Sequence, residues 1–65
     1  MTPQQNRTLE RTIAVIQQQC REYLTCRANG DYAGALRAAI NILNGASFIN
    51  QEAIDEEAAH ARSEQ

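Results

Sequence analysis

Residues with reactive side chains are few in this 65-residue sequence, and they do not cluster. The single histidine, His60, follows a short acidic run at 55–57, and on a helix it would pair with Glu56 as ordinary surface electrostatics. The sequence contains no glycine-rich phosphate loop, no paired-histidine zinc motif and no serine–histidine–aspartate order. It therefore predicts a protein that is not an enzyme and that holds no metal or cofactor.

The two cysteines, Cys20 and Cys26, are six residues apart on one predicted helix, so they project in different directions and cannot form a disulfide with each other. We interpret both as small buried apolar residues of a cytoplasmic protein, where thiols stay reduced. No apolar run approaches the ~20 residues of a membrane span, and the N-terminus lacks the apolar core of a signal peptide. We therefore expect no contact with a membrane.

The N-terminal half predicts one long helix. Thr2 is a good N-cap, Pro3 suits the first helical turn, and Gln5 can complete a capping box with Thr2. No further glycine or proline occurs before Gly30. The helix should span about 3–28.

A three-residue turn at 29–31 separates this helix from the next one. Gly30 can adopt the left-handed conformation that ends a helix, and Asp31 can cap the helix that follows. Such a short connection makes the two helices antiparallel. The sequence thus predicts an all-α helical hairpin in a single domain, 1–65, with the second helix starting at residue 32.

Two features of the second helix are less regular. The pair Asn44-Gly45 is typical of turns, so we expect a kink or break near 44–47. The polar, alanine-rich tail from about residue 58 is expected to fray.

Apolar residues recur on one face of each helix at the alternating spacing of three and four that a heptad requires. The predicted core seam consists of Leu9, Ile13, Ile16, Cys20 and Tyr23 on the first helix and of Leu36, Ile40 and Leu43, with Tyr32, Ala39 and Ala46, on the second.

One hairpin of this size buries its seam on one side only, so we expect a second copy of the chain as a partner. Two hairpins can pack as a four-helix bundle and cover the apolar residues outside the seam. The predicted protein interface consists of Val15, Leu24, Ile42, Phe48 and Ile49.

The side of the first helix opposite the seam carries three arginines and no carboxylate, although the whole chain has a net charge of −2. Arginine and glutamine on a rigid helix can meet phosphates and base edges. The candidate nucleic-acid-binding residues, called the arginine stripe below, are Arg7, Arg11, Gln18 and Arg21. The alternative interpretation is an ordinary solvated helix face.

The stretch NGDYAGALRAAINIL, residues 29–43, resembles the turn and second helix of a tetratricopeptide repeat. Gly30, Tyr32, Ala35 and Ala39 carry this likeness. The sequence has no second copy of the repeat, and one repeat cannot bury its face alone. The resemblance therefore implies a helical hairpin and no particular function.

The architecture as a whole is similar to that of the Rop-type plasmid RNA-binding proteins, which are also hairpins of two long helices with a short turn near residue 30. That resemblance implies a dimeric four-helix bundle and RNA binding. Two functions consequently stay open. The first is a small homodimeric regulator or adaptor, of the phage or plasmid accessory type, that binds an unidentified host protein. The alternative is binding of RNA through the arginine stripe.

Overall fold

The computed structural model describes residues 2–63, and these form two helices, α1 (Pro3–Ala28) and α2 (Tyr32–Ser63), with no strand among them. The helices pack as one antiparallel hairpin with dimensions of 53 × 19 × 12 Å. Since 12 Å is about the diameter of a single helix, the hairpin is one layer thick and has two broad open faces. The predicted all-α hairpin is confirmed.

The start of α1 is fixed by a capping box. The Gln5 amide N–H donates to Thr2 Oγ1 at 3.2 Å, and the Thr2 amide N–H donates to Gln5 Oε1 at 2.9 Å. Pro3 occupies the first helical turn, where backbone N–H groups have no acceptor within the helix, so proline loses no hydrogen bond there. These local hydrogen bonds place the first residue of α1 where the sequence predicts it.

The turn between the helices combines a C-terminal cap with an N-terminal cap. Gly30 has φ +73°, and the amides of Gly30 and Asp31 donate to the carbonyls of Arg27 at 3.1 Å and Cys26 at 2.8 Å. This is the Schellman pattern, which satisfies two of the free carbonyls at the end of α1. Asp31 Oδ1 then accepts from the Gly34 amide at 2.9 Å and caps α2.

The contact between the helices, called the seam below, is built mostly from small or polar residues on α2. Among the described residues the buried apolar side chains are Ala35, 6% exposed, and Ala38, 2% exposed. The seam consists of Leu9, Thr12, Ile16, Gln19, Tyr23 and Cys26 on α1 and of Ala35, Ala38, Ile42, Gly45, Ile49 and Glu52 on α2. This set repeats at spacings of three and four on both helices, as heptads require.

Gly45 lets the helices approach closely at the middle of the hairpin. A Cβ atom built on Gly45 would lie 2.7 Å from Ile16 Cγ1 and 3.6 Å from Thr12 Cγ2. The Thr12 hydroxyl donates to the Thr8 carbonyl at 2.8 Å, so only its methyl group faces α2. The expected break at 44–47 is therefore wrong: α2 runs unbroken through Gly45, whose role is close packing.

The predicted core seam differs from the observed one by a rotation of α2 and, on α1, by one position at Ile13 and Cys20, whose places Thr12 and Gln19 take. Leu9, Ile16 and Tyr23 lie in the seam and are half-buried, whereas Cys20 is exposed. The remaining large residues of the predicted seam are largely exposed: Ile13 41%, Leu36 62%, Ile40 48%, Leu43 65% and Tyr32 72%. Ala46 is exposed as well, whereas Ala39 is half-buried. The reason is steric, because the neighbouring stripe of glycine and alanine brings the backbones closer than a stripe of leucines allows.

Helix α2 is longer than α1 and ends at Ser63. Fraying from residue 58 stays a prediction, and its last two positions, 64 and 65, lie outside the described residues, as does Met1. Neither described helix combines the length and the apolar character needed to cross a membrane.

We predict that Gly45→Ala lowers the free energy of unfolding by about 1 kcal/mol, because overpacking costs roughly 1–3 kcal/mol and the gain in helix propensity is only about 1 kcal/mol. In an Ile16→Ala background the obstructing Cγ1 and Cδ1 atoms are gone, so the same substitution should stabilise the fold. Urea unfolding of the four chains at one protein concentration gives the coupling energy.

Asn44→Ala is the control, since Asn44 is exposed and its neighbour Gly45 is the residue that meets Ile16. Its effect should be the same in both backgrounds. If Gly45→Ala stabilises the wild-type chain as much as the Ile16→Ala chain, the close contact is not present in solution.

Candidate interaction surfaces

The hairpin presents one strongly apolar broad face. In an antiparallel pair, the positions that flank the seam on the same side of each helix lie next to each other. On one side these positions form what we call the apolar face: Ile13, Gln17, Cys20 and Leu24 of α1, and Tyr32, Leu36, Ala39, Leu43 and Ala46 of α2, extended on the outer side of α2 by Ile40. None of these residues of the apolar face is charged, since Arg21, Glu22 and Arg37 of the same stretches lie on other sides of their helices.

The large side chains of the apolar face have little cover within one chain. Leu24 is 65% exposed, Leu36 62%, Leu43 65% and Tyr32 72%. Monomeric proteins seldom expose contiguous apolar patches of more than a few hundred Å². The face is therefore the most marked surface feature of the hairpin.

The opposite broad face, called the polar face below, is different in character. A shallow groove between the helices is lined there by Thr8, Arg11, Val15, Asn41 and Asn44. Asn41 Nδ2 also donates to Gln19 Oε1 across the seam at 3.3 Å, which is a long hydrogen bond.

Phe48 also belongs to the polar face and is partly covered by the first turns of α1. It is 37% exposed and shares a second shallow groove with Thr2, Gln4 and Thr8. Val15, at 47% exposed, lies one groove further toward the turn.

The structure does not bring the five predicted interface residues together. Leu24 lies on the apolar face, Val15 and Phe48 lie on the polar face, and Ile42 and Ile49 are half-buried in the seam. Hydrophobic spacing alone did not predict the small seam residues of α2. The signal that identifies them is the repeat of Ala35, Ala38, Ile42 and Gly45 at spacings of three, four and three.

The arginine stripe lies on the side of α1 that faces away from α2. All four of its residues are exposed, and their spacing of four, seven and three keeps them on one side of the helix. The structure therefore places these residues on one accessible surface. Phosphates or carboxylates of another molecule could reach this surface, since guanidinium groups bind both.

An acidic group on α2 lies beside the N-terminus of α1. Glu52, Asp55 and Glu56 line a shallow depression together with Gln5, at the end of α1 that has no acidic residue in its own first turn. Carboxylates in this place interact favourably with the free N–H groups of a helix start. We interpret this group as one of the features that hold α2 against the start of α1, at the end of the hairpin away from the turn.

The two thiols have different surroundings. Cys20 is exposed on the apolar face, while Cys26 is half-buried at the turn, with its Sγ 3.8 Å from Glu22 Oε1. Burial raises the pKa of the Cys26 thiol, and the nearby carboxylates of Asp31 and Glu22 raise this pKa further. Within residues 2–63 no group of three or more histidine, cysteine or carboxylate side chains is placed to hold a metal ion.

We predict that the thiol of Cys26 reacts slowly with iodoacetamide in the folded chain. Because only the thiolate is nucleophilic, a raised pKa moves the rise of the alkylation rate to higher pH. In a Cys20→Ser chain the midpoint of the rate profile should lie above that of the same chain unfolded in urea. Adding Glu22→Gln should lower the midpoint of the folded chain. Identical profiles for the folded chain, the unfolded chain and the folded Glu22→Gln chain would contradict a raised pKa of the Cys26 thiol.

Comparison of the chain with protein-family models, with curated protein sequences and with solved structures finds no match in any of the three. The surfaces described above are therefore the basis for assigning a function.

Proposed function

We propose that this protein is a non-enzymatic homodimer that acts as a small regulator or adaptor by binding another protein. The observation that carries the proposal is the apolar face, an uncharged strip of large side chains that a single hairpin leaves open. A second copy packed on this face would complete a four-helix bundle, in which each helix has neighbours on two sides.

The size of the apolar face fits a stable dimer. Six of its large residues are 41–72% exposed. With roughly 200 Å² for each large side chain when fully exposed, these fractions amount to on the order of 700 Å² per copy, which is close to the ~800 Å² per partner of a standard interface.

The energetics of the single hairpin support the same conclusion. Its buried apolar side chains among residues 2–63 are two alanines, Ala35 and Ala38. A chain of about 65 residues depends on nearly all of its apolar burial to offset conformational entropy. Burial of the leucines on the apolar face would supply the missing contribution.

Dimerisation through the apolar face would leave the polar face for a further partner. Phe48 and Val15 offer exposed apolar groups there, in shallow grooves edged by amide and guanidinium side chains. Interfaces commonly combine one partly exposed aromatic residue with such a polar rim. The cytoplasm is the compartment we propose, since it keeps thiols such as Cys20 and Cys26 reduced.

The exposed arginine stripe supports a second candidate function, the binding of RNA or another nucleic acid. Its three guanidinium groups lie on one side of one rigid helix, where they could contact successive phosphates. The acidic net charge of the chain argues against non-specific binding of this kind. We therefore rank nucleic-acid binding below protein binding.

We predict that the wild-type chain sediments at equilibrium with twice its mass of 7.2 kDa at tens of micromolar. Leu43→Glu places a charge in the centre of the apolar face and should abolish the dimer, with a loss of helix content if the lone hairpin is unstable. Asn44→Glu is the matched control, because it adds the same charge one residue away on the polar face. A wild-type monomer, or a dimeric Leu43→Glu chain, would overturn the proposal.

We predict further that Phe48→Ala weakens capture of the protein partner without dissociating the homodimer. The triple change Arg7→Gln, Arg11→Gln, Arg21→Gln should leave that capture intact. Pull-down from host lysate with and without nuclease, at low and high salt, separates the two candidates. Capture that is lost with nuclease, with high salt and with the triple change would favour nucleic acid, because counterion release makes such binding steeply salt-dependent.

A further inference from the structure

We infer that the second copy lies antiparallel on the apolar face, with its turn at the opposite end of the bundle and with α1 of one copy beside α1 of the other. The inference rests on the proposed homodimer and specifies its symmetry. It follows from the order of charged, large and small residues along the face. A single twofold axis, perpendicular to the helices, pairs opposite charges on α1 and large with small residues on α2.

The contacts between the two helices show which of their residues lie at the same height. Gly45 lies against both Ile16 and Thr12 across the seam. Two further contacts pair Gln19 with Asn41 and Cys26 with Gly34. The two residue numbers of these four pairs add up to between 57 and 61, with a mean of 59.5. A point between residues 18 and 19 of α1 is therefore level with Asn41 of α2.

The positions of α1 that flank the seam on the apolar side read, in order, Glu10, Ile13, Gln17, Cys20, Leu24 and Arg27. This series is symmetric about the point between residues 18 and 19. An antiparallel partner consequently places Glu10 opposite Arg27 of the partner subunit and Ile13 opposite the partner's Leu24. The twofold axis repeats each pair, so an ion pair closes each end of the apolar strip.

The equivalent positions of α2 are Tyr32, Leu36, Ala39, Leu43, Ala46 and Asn50, a series that is symmetric about residue 41. The same axis places Leu36 opposite the partner's Ala46 and Leu43 opposite the partner's Ala39. Large residues then meet small ones across the interface, as close packing requires. Tyr32 lies opposite Asn50 of the partner subunit, whose amide can bond its hydroxyl group.

The other arrangement that a twofold axis allows has both turns at one end and α1 beside the partner's α2. It places Leu24 over the partner's Leu36 and Gln17 over the partner's Leu43, so long side chains meet in two pairs. Cys20 then lies over the partner's Ala39, and Ile13 lies over the partner's Ala46. It also leaves Glu10 and Arg27 without an opposite charge across the interface. The charge pairs on α1 and the large-to-small pairs on α2 therefore favour the antiparallel arrangement.

Disulfide trapping between single-cysteine chains distinguishes the two arrangements. All chains carry Cys20→Ser and Cys26→Ser, and each adds one new cysteine. A Glu10→Cys chain unfolded and refolded together with an Arg27→Cys chain should give a covalent heterodimer as the main product of mild oxidation on a non-reducing gel. A Glu10→Cys chain mixed with an Asn50→Cys chain should give none.

The single-cysteine chains on their own are the controls. Two copies of residue 10 would be about 25 Å apart along the bundle, since they are separated by the height of 17 residues, and a disulfide needs Cα atoms within ~7 Å. Each chain alone should stay uncross-linked. Trapping in the Glu10→Cys with Asn50→Cys mixture, or in neither mixture while sedimentation shows a dimer, would overturn the antiparallel arrangement but not the homodimer.

Charge reversal in the chain with both native cysteines provides a second measurement. Glu10→Arg should weaken dimerisation about ten-fold at low salt, because it replaces two attractive contacts with repulsive ones. Adding Arg27→Glu should restore the wild-type dissociation constant. Glu22→Arg, on the polar face, is the control and should change it little. An unaffected Glu10→Arg dimer would overturn the inference, and a wild-type monomer would overturn both it and the homodimer.

Discussion

The close approach of α1 and α2 at Gly45 is the constraint on which the rest of the hairpin depends. Since a Cβ on this residue would lie 2.7 Å from Ile16 Cγ1, the backbones at this height are closer than a seam of large side chains permits. Ala35 and Ala38 extend the same tight contact toward the turn. The leucines of α2 are consequently excluded from the seam and lie on its flank. Because small residues form the seam, the large apolar residues of the neighbouring stripe stay exposed, and a second copy would bury them.

The ends of the helices and the turn were predictable because local hydrogen bonds determine them. Thr2 with Gln5, and Gly30 with Asp31, form their caps with residues at most five positions away. The path of α2 through Gly45 was not predictable in this way. Asn44-Gly45 has the local signature of a turn, but packing against a helix about 30 residues earlier favours continuous helix. Tertiary contacts of this kind leave little trace in a short stretch of sequence.

The candidate surfaces were predictable only in part, because two apolar stripes run side by side on α2. Hydrophobicity alone favours the stripe of Leu36 and Leu43 as the seam, and the heptad spacing fits either stripe. Side-chain volume decides between them, and that criterion requires knowing how close the helices come. A choice one residue off rotates α2 by about 100° and exchanges the seam with the neighbouring face. This rotation explains why Ile42 lies in the seam while Leu43 is 65% exposed.

In the proposed dimer the same geometry also sorts the charges of the chain. Residues 1–30 carry four arginines and two carboxylates, whereas residues 31–65 carry two arginines and six carboxylates. With α1 beside α1 of the partner subunit, the two arginine stripes lie on one side of the bundle, and the two acidic second helices form the opposite side. The first side could attract an anionic partner, while the second repels it. Each copy contributes three arginines to this side, so the symmetry that pairs Glu10 with Arg27 of the partner subunit also brings six arginines together. The proposed homodimer thereby bears on the binding of a protein partner and on the binding of nucleic acid.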